Sequence, residues 1–490
     1  MRSAAVKGKA YIFEEPNLEF GDDVQHPDPR MGLLRGGPHQ SPPGERIQIG
    51  VVGSARMIEL TEDFVKQAQT GFDGKDSDLS NLHLEFPGLR NRNPWKADFE
   101  LPKEAQSALS KSEIQSITDE ADDKKAVEAA VDLVMSKLEG LAQGAHRPNV
   151  VVLPLGLNLI ERLVNARSRT RAKNDPDDAG GSDAPDFRGK LKARALRLPF
   201  AVQIVWEDTL DDSVKVPAKI KEATNREIQD IASRAWTLFN SLYYKGTFKV
   251  PFRRLAPEDE YNTCFIGISF YRDVSGQQLW TSSAQMFDER GKGFILRGRR
   301  AHTERKGRSP YMAEEDAAAL VRRALEAYFS EHKHYPARVM VLKTSRFKES
   351  EVNGIRSALS ISGVQLKDLV WILQRHPIRV FRPGSYPVLR GTFVEIDDRG
   401  LLYTQGSIPY LETYPGVRVP QPLFLCPHKT SDSTIREIAK DVLSLTKVNW
   451  NSTAINQSIP APLRASRKVG EVLKYCDEGE DVPSEFWRYM

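Results

Sequence analysis

Three strand-like runs, Thr263 to Tyr271, Leu279 to Met286 and Phe294 to Arg297, precede an amphipathic helical pattern and one short apolar run. That order constrains the fold more than any other stretch of the chain. Turn residues Ser275-Gly276 and Gly291-Lys292-Gly293 separate the runs, so they predict an antiparallel meander. The helix spans Glu314 to Glu331, with Leu320, Val321, Ala324, Leu325 and Tyr328 on one face. Arg338 to Leu342 then reads as a buried strand, giving the order βββαβ.

Upstream, strands alternate with helices, the grammar of a parallel sheet. A strand at Ile47 to Val52 leads into a helix carrying Ile58, Phe64 and Val65. Asn91 to Lys125 is polar and weakly patterned. Val127 to Leu141 is helical, with Val131, Leu133, Val134 and Leu138 near one face, and Asn149 to Leu155 is a strand. Ser168 to Pro185 lacks periodicity and predicts a mobile surface loop. A helix from Asp186, a strand from Phe200 to Trp206, and one long helix from about Glu222 to Tyr244 follow, the last turning Ile228, Ile231, Ala235, Leu238 and Leu242 inward. The first forty residues, with Asp28-Pro29-Arg30 and Gly36-Gly37-Pro38, read as an extended arm. The expected division is an arm over 1–40, an α/β domain over 41–258 and a second over 259–490.

Composition narrows the function classes. The three cysteines, Cys264, Cys426 and Cys476, form no paired motif and exclude a disulfide framework or cysteine zinc site. The longest apolar stretch, Val150 to Ile160, is broken by Pro154, Gly156 and Asn158 and is too short to span a bilayer. Met1 to Pro16 lacks a signal-peptide core, so a cytoplasmic protein is expected. Lys plus Arg number 70 against 66 for Asp plus Glu, so net charge identifies no partner and local charge must.

Arg188 and Lys192 are four residues apart on a helix and project from one face. Gln203 lies on the next strand and Lys245 near the end of the long helix, so a doubly wound sheet can bring all four to one crevice. Arginine's planar fork and lysine's compact charge suit a terminal phosphate. Helix cations at this spacing are usually a solvated face.

These residues carry a resemblance. Phe187-Arg-Gly-Lys-Leu-Lys-Ala-Arg-Ala, Phe200-Ala-Val-Gln-Ile-Val and Leu242-Tyr-Tyr-Lys resemble the MID domain of Argonaute proteins, and the βββαβ order resembles ribonuclease H, the fold of their PIWI domain. Ser283-Ala-Gln-Met-Phe, Leu296-Arg-Gly, Tyr403-Thr-Gln-Gly-Ser-Ile-Pro-Tyr and Leu445-Thr-Lys-Val-Asn-Trp-Asn-Ser add to the PIWI likeness, and Glu15-Pro-Asn-Leu-Glu-Phe-Gly with Asp28-Pro-Arg extends it into the arm. The resemblance implies an α/β protein with a Rossmann-like MID domain and a ribonuclease H-like PIWI domain. It implies that Arg188, Lys192, Gln203 and Lys245 hold the 5′-phosphate of a guide. Arg188 stands where many long Argonautes have a tyrosine to stack the first base. A magnesium ion held by Gln203 and a terminal carboxylate at Met490 is implied at the same pocket; the ending Phe486-Trp-Arg-Tyr-Met490 equally describes an aromatic tail packed in a core. Lys447, Asn449 and Asn451 are implied guide-backbone contacts, although Asn is also an ordinary capping residue.

Where PIWI nucleases place metal-binding carboxylates, Phe265-Ile-Gly-Ile-Ser-Phe puts Ser269, Val341-Leu-Lys-Thr-Ser-Arg-Phe puts Thr344, and Pro460-Ala-Pro-Leu-Arg-Ala-Ser-Arg puts Ser466. Glu304, in the polar loop His302 to Pro310, aligns loosely with the remaining glutamate. No slicing is expected, since one carboxylate cannot organise two metals. His332 and His334 close an amphipathic helix at spacing that does not suit a metal. The resemblance is to short prokaryotic Argonautes, without the N-terminal and PAZ domains. Such proteins pair with an APAZ-containing effector, often a TIR or sirtuin-like NADase and sometimes a nuclease. The expected partners are therefore a short guide RNA, complementary single-stranded DNA from a plasmid or phage, and an APAZ effector activated in cell defence. Two rivals stand beside this: a nuclease using other acids, Asp273, Glu304 or Asp397, and a Rossmann-type small-molecule binder, whose dinucleotide-binding version the absence of a Gly-x-Gly-x-x-Gly turn disfavours.

Overall fold

The computed structural model describes residues 8–40, 44–171, 186–224, 229–256, 261–286, 293–304, 309–416 and 418–490. Residues 172–185 of the expected mobile loop, Ile228 of the long helix, the turn residues Gly291 and Lys292, and 305–308 of the polar loop lie outside the described residues.

Val150–Leu155 is buried at all six positions, which explains why it carries no polar side chain. Alternate side chains enter different cores: Val150 and Val152 join one cluster, while Val151, Leu153 and Leu155 join another on the opposite face. This strand pairs in parallel with Glu45–Ser54 on one side and Ala201–Trp206 on the other. Ala97–Glu100 and Gln106–Leu109 both add in parallel to Glu45–Ser54, completing a five-stranded sheet.

The second sheet has nine strands. Thr263–Arg272, Leu279–Met286 and Gly293–Arg300 form the expected antiparallel meander, and Arg338–Lys343 returns parallel to Thr263–Arg272 after the helix Glu314–His332. The sheet continues through Leu366–Leu373, Leu423–Pro427, Arg399–Leu402 and Thr392–Ile396. Helices Glu314–His332 and Glu349–Ile361 share the core of one face, and Ala461–Leu473 packs on the meander.

Several local expectations change. The arm is not merely draped: Lys9–Ile12 is the outermost strand of the nine-stranded sheet, antiparallel to Thr392–Ile396, and Leu18–Glu19 pairs with Arg253–Arg254. Asp28-Pro29-Arg30, read as extended, starts the helix Pro29–Gly36; the Asp28 carboxylate accepts from Arg30 N at 2.8 Å and proline fits the first turn, where no N–H bond is required. The single long helix is two, Ala218–Thr224 and Ile231–Thr247, because Asp230 caps the second by accepting from Ser233 N at 3.0 Å. The weakly patterned Asn91 to Lys125 holds two short strands and the helix Lys111–Asp119, opened by a Ser110–Glu113 capping box. A helix over Leu157–Arg171 occupies the first residues of the expected loop. Among the described residues, no helix is long and apolar enough to cross a membrane.

Candidate nucleic-acid interface

The helix Phe187–Ala195 sets Arg188 and Lys192 one turn apart. Gly189 lies between them where a side chain has no room: a Cβ there would sit 2.6 Å from Tyr475 Cε2 and 3.0 Å from the Glu471 carbonyl oxygen. The helix therefore seats directly against Ala461–Leu473 of the second sheet's layer. Gln203 comes from the middle of Ala201–Trp206, and Ser241 and Lys245 from the last turns of Ile231–Thr247. Together they line a cleft of ≈ 270 Å³ with Met490 at its side.

Hydrogen bonds tie the cleft into one network. Lys245 Nζ donates to Gln203 Oε1 at 2.5 Å, and the Ser241 hydroxyl lies 2.8 Å from the same oxygen and 2.9 Å from Asn451 Oδ1. Lys192 Nζ donates to the main-chain oxygens of Val202 and Met490. The four residues of the expected phosphate site are thus brought together, and Asn449 and Asn451 join them from the other lobe.

The charges in this cleft are frustrated. Lys192 and Lys245 are 3% and 2% exposed. Burial, and then the nearby Arg188, brings the Lys245 ammonium down to about 7. Lys192 is also held well below the usual lysine range, by burial and by the charges of Lys245 and Arg188. Both ammonium groups donate to uncharged or main-chain oxygens, and no ion pair with an acidic side chain is formed by either among the described residues. Two buried cations, both opposed by Arg188 and one by the other, leave positive charge in the cleft that an anion could offset.

Three contributors escaped the sequence reading: Ser241, Arg464 and Lys468. Arg464 donates to Val448 O and, at 3.2 Å, to Ile459 O; burial lowers its guanidinium to about 10. The signal was present, since Arg464 and Lys468 repeat the four-residue spacing of Arg188 and Lys192, within and just after the segment read only for Ser466. Lys447 is a correction. It is 1% exposed, and its Nζ donates to Glu15 Oε1 at 2.7 Å and Pro27 O at 2.6 Å, so it fastens the arm and takes no part in the cleft.

The expected magnesium ligands do not fit that ion in this arrangement. Gln203 Oε1 accepts from an ammonium and lies against a hydroxyl, and the Met490 oxygen accepts from Lys192. Magnesium prefers carboxylate, phosphate and water oxygens in octahedral array, whereas here ammonium groups already stand beside both protein oxygens.

At the expected cutting centre, Ser269 and Ser466 are brought together through a residue the sequence did not single out. The Ser269 and Ser282 hydroxyls are 2.9 Å apart, and Ser282 Oγ donates to the Ser466 carbonyl at 2.8 Å. Thr344 directly follows Lys343, the partner of Ile268, which places it beside Ser269 along the paired strands. The acids of the rival reading are dispersed. Glu304 pairs with Lys348, Asp273 accepts from the Ser275 hydroxyl at 2.7 Å in a hairpin turn, and Asp397 occupies a turn with φ 52° between two strands, the nearer of which is separated from Thr263–Arg272 by three others. His332 stacks on Tyr328 with ring centroids 4.2 Å apart. Among the described residues, no group of three or more His, Cys, Asp or Glu is arranged to hold a metal.

No protein-family model matches the sequence, and no curated protein does. Solved structures do match in fold. The chain is similar to Clostridium butyricum Argonaute bound to a guide DNA (5′ deoxycytidine) and a 19-mer target DNA, with TM-score 0.62 and 14% identity over 96% of this chain and 54% of that one. It is similar to Aa-Ago with externally bound siRNA, with TM-score 0.58 and 14% identity over 98% and 56%. Drosophila Piwi gives TM-score 0.57 and 13% identity over the same shares, 98% and 56%. The chain thus spans a little over half the length of these proteins. What the likeness establishes is the architecture: this chain has the mixed α/β fold that Argonaute proteins share across their MID and PIWI domains.

Proposed function

We propose that the chain grips the 5′-phosphate of a short guide RNA in the cleft between its two sheets and uses that guide to sense complementary single-stranded DNA. The observation that carries this reading is the converging pair of buried lysines, Lys192 and Lys245, which no acidic side chain among the described residues neutralises. A terminal phosphate supplies up to two negative charges and three acceptor oxygens, which matches what the pair lacks. Arg188 and Lys468 stand at the rim, where the next backbone phosphates pass. Base pairing supplies the sequence readout, while the protein reads backbone and position.

In this reading the chain does not cut. Hydroxyls at Ser269 and Ser466 and at Thr344 offer no anionic ligand to a metal pair. The response belongs to an APAZ-containing effector, such as a TIR or sirtuin-like NADase or a nuclease, activated when guide and target pair, as in prokaryotic defence against plasmids and phages. Its coupling requires different affinity of the effector-bound protein for the guide-only and duplex states.

The test is filter binding of a 5′-phosphorylated against a 5′-hydroxyl RNA, with Lys192→Ala/Lys245→Ala as control, over a salt series. A strong phosphate preference that the double substitution abolishes supports the assignment. Indifference to both changes leaves only a fold.

A further inference from the structure

One carboxylate oxygen guards the mouth of the cleft. Glu471 Oε2 lies 3.0 Å from Lys468 Nζ and 3.4 Å from Arg188 Nη1, so a single atom faces cations contributed by both lobes. Positions 464, 468 and 471 follow the i, i+4, i+7 spacing of one helical face, and Arg188 meets that face because Gly189 lets the two helices touch. The three rim side chains are 37% exposed at Arg188, 43% at Lys468 and 47% at Glu471, so their contacts are open to exchange with water and ligand.

The cleft therefore has two tiers of different character. The inner tier, Lys192 and Lys245, is buried and meets no acidic side chain among the described residues; the outer tier, Arg188 and Lys468, already holds one. A phosphate reaching the inner tier displaces no side-chain carboxylate. A phosphodiester approaching the outer tier must displace Glu471. We propose that Glu471 is a built-in competitor for backbone phosphates, which weakens attachment through the outer cations while leaving the inner tier unopposed. This rests on the phosphate reading of the cleft. Ion pairs this exposed are weak, so the device tunes binding and does not block it.

Counterion release supplies a readout that a merely structural role would not move. Each phosphate newly held on a single strand steepens the dependence of log affinity on log salt by about 0.7. The experiment titrates the full chain with 5′-hydroxyl and 5′-phosphorylated RNA of the same sequence across salt, comparing wild type, Glu471→Gln, Lys468→Gln and the double variant. Glu471→Gln is expected to tighten both RNAs about two- to fivefold at low salt, the span of an exposed ion pair, with a steeper salt dependence. The gain should shrink in the Lys468→Gln background. Unchanged affinity and slope, weaker binding by Glu471→Gln, or an equal gain without Lys468 overturns the proposal. Failure of the wild type to prefer the 5′-phosphate overturns the underlying phosphate reading instead, and is seen without any variant.

Discussion

Arg390 Nε donates to both carboxylate oxygens of Glu15, each at 2.9 Å, across 375 residues of sequence. Lys447 closes the same carboxylate from the other side, and Arg390 is wholly buried there. Removing the charge strands two buried cations, so Glu15→Gln should cost about 3–5 kcal/mol, measured as a fall in the denaturant midpoint. Burial pushes the Glu15 carboxyl up, but Arg390 and Lys447 more than offset this and hold it below its ordinary 4.5. The contribution is therefore present above 4.5 and lost as pH falls through the lower folded value. The gap between wild type and variant should close in that acid range; a gap that persists there would show that the pair acts through packing.

Much of the frame was legible because it rests on long periodic segments. The meander from Thr263 follows from its turn residues, the helix from Glu314 from its apolar stripe, and the strand at Val150 from its continuous apolar run. The arm was not legible in this way. Lys9–Ile12 is a four-residue strand whose pairing partner is nearly four hundred residues away, and no local pattern announces such a contact. Arg188, Lys192, Gln203 and Lys245 could be proposed together because a doubly wound sheet brings helix and strand ends into one crevice. Lys447 could not be placed, since its burial against Glu15 depends on that distant arm.

Proton uptake should accompany phosphate binding. Lys245 sits at about 7 in the free protein, and a bound dianion favours its protonated form. The preference for 5′-phosphorylated over 5′-hydroxyl RNA should thus weaken as pH rises above about 7. It should also weaken below about 6, where the phosphate monoester takes up its second proton. Binding measured from pH 5 to 9 should give an optimum between these limits, and Lys245→Gln should remove the alkaline limb. A flat profile for the unsubstituted protein would dissociate Lys245 from the ligand.

Gly189→Ala tests the contact between lobes. Its methyl would press on Tyr475 at 2.6 Å and on Asp186 Oδ2 at 2.7 Å. Overpacking of this kind costs about 1–3 kcal/mol, and separation of the two helices should also weaken RNA binding because Arg188 and Lys468 part. Chemical denaturation and the filter assay on the same preparation check both effects.

Chelation separates two ways of holding the phosphate. With ammonium groups beside both Gln203 Oε1 and the Met490 oxygen, the 5′-phosphate preference should survive EDTA. A loss of preference restored by magnesium would reinstate the ion expected from the sequence resemblance and require the lysines to move aside.

The helix Ala461–Leu473 carries Arg464 and Lys468 into the cleft and, between them, Ser466 into the serine cluster under Thr263–Arg272. Consecutive turns of an α-helix are bound to one another by their own backbone, so it moves as a rod. Whatever tilts its cleft-facing side by a fraction of an ångström is felt at the Ser282 hydroxyl in the same stroke, which ties the cleft to the heart of the larger sheet through one rigid element.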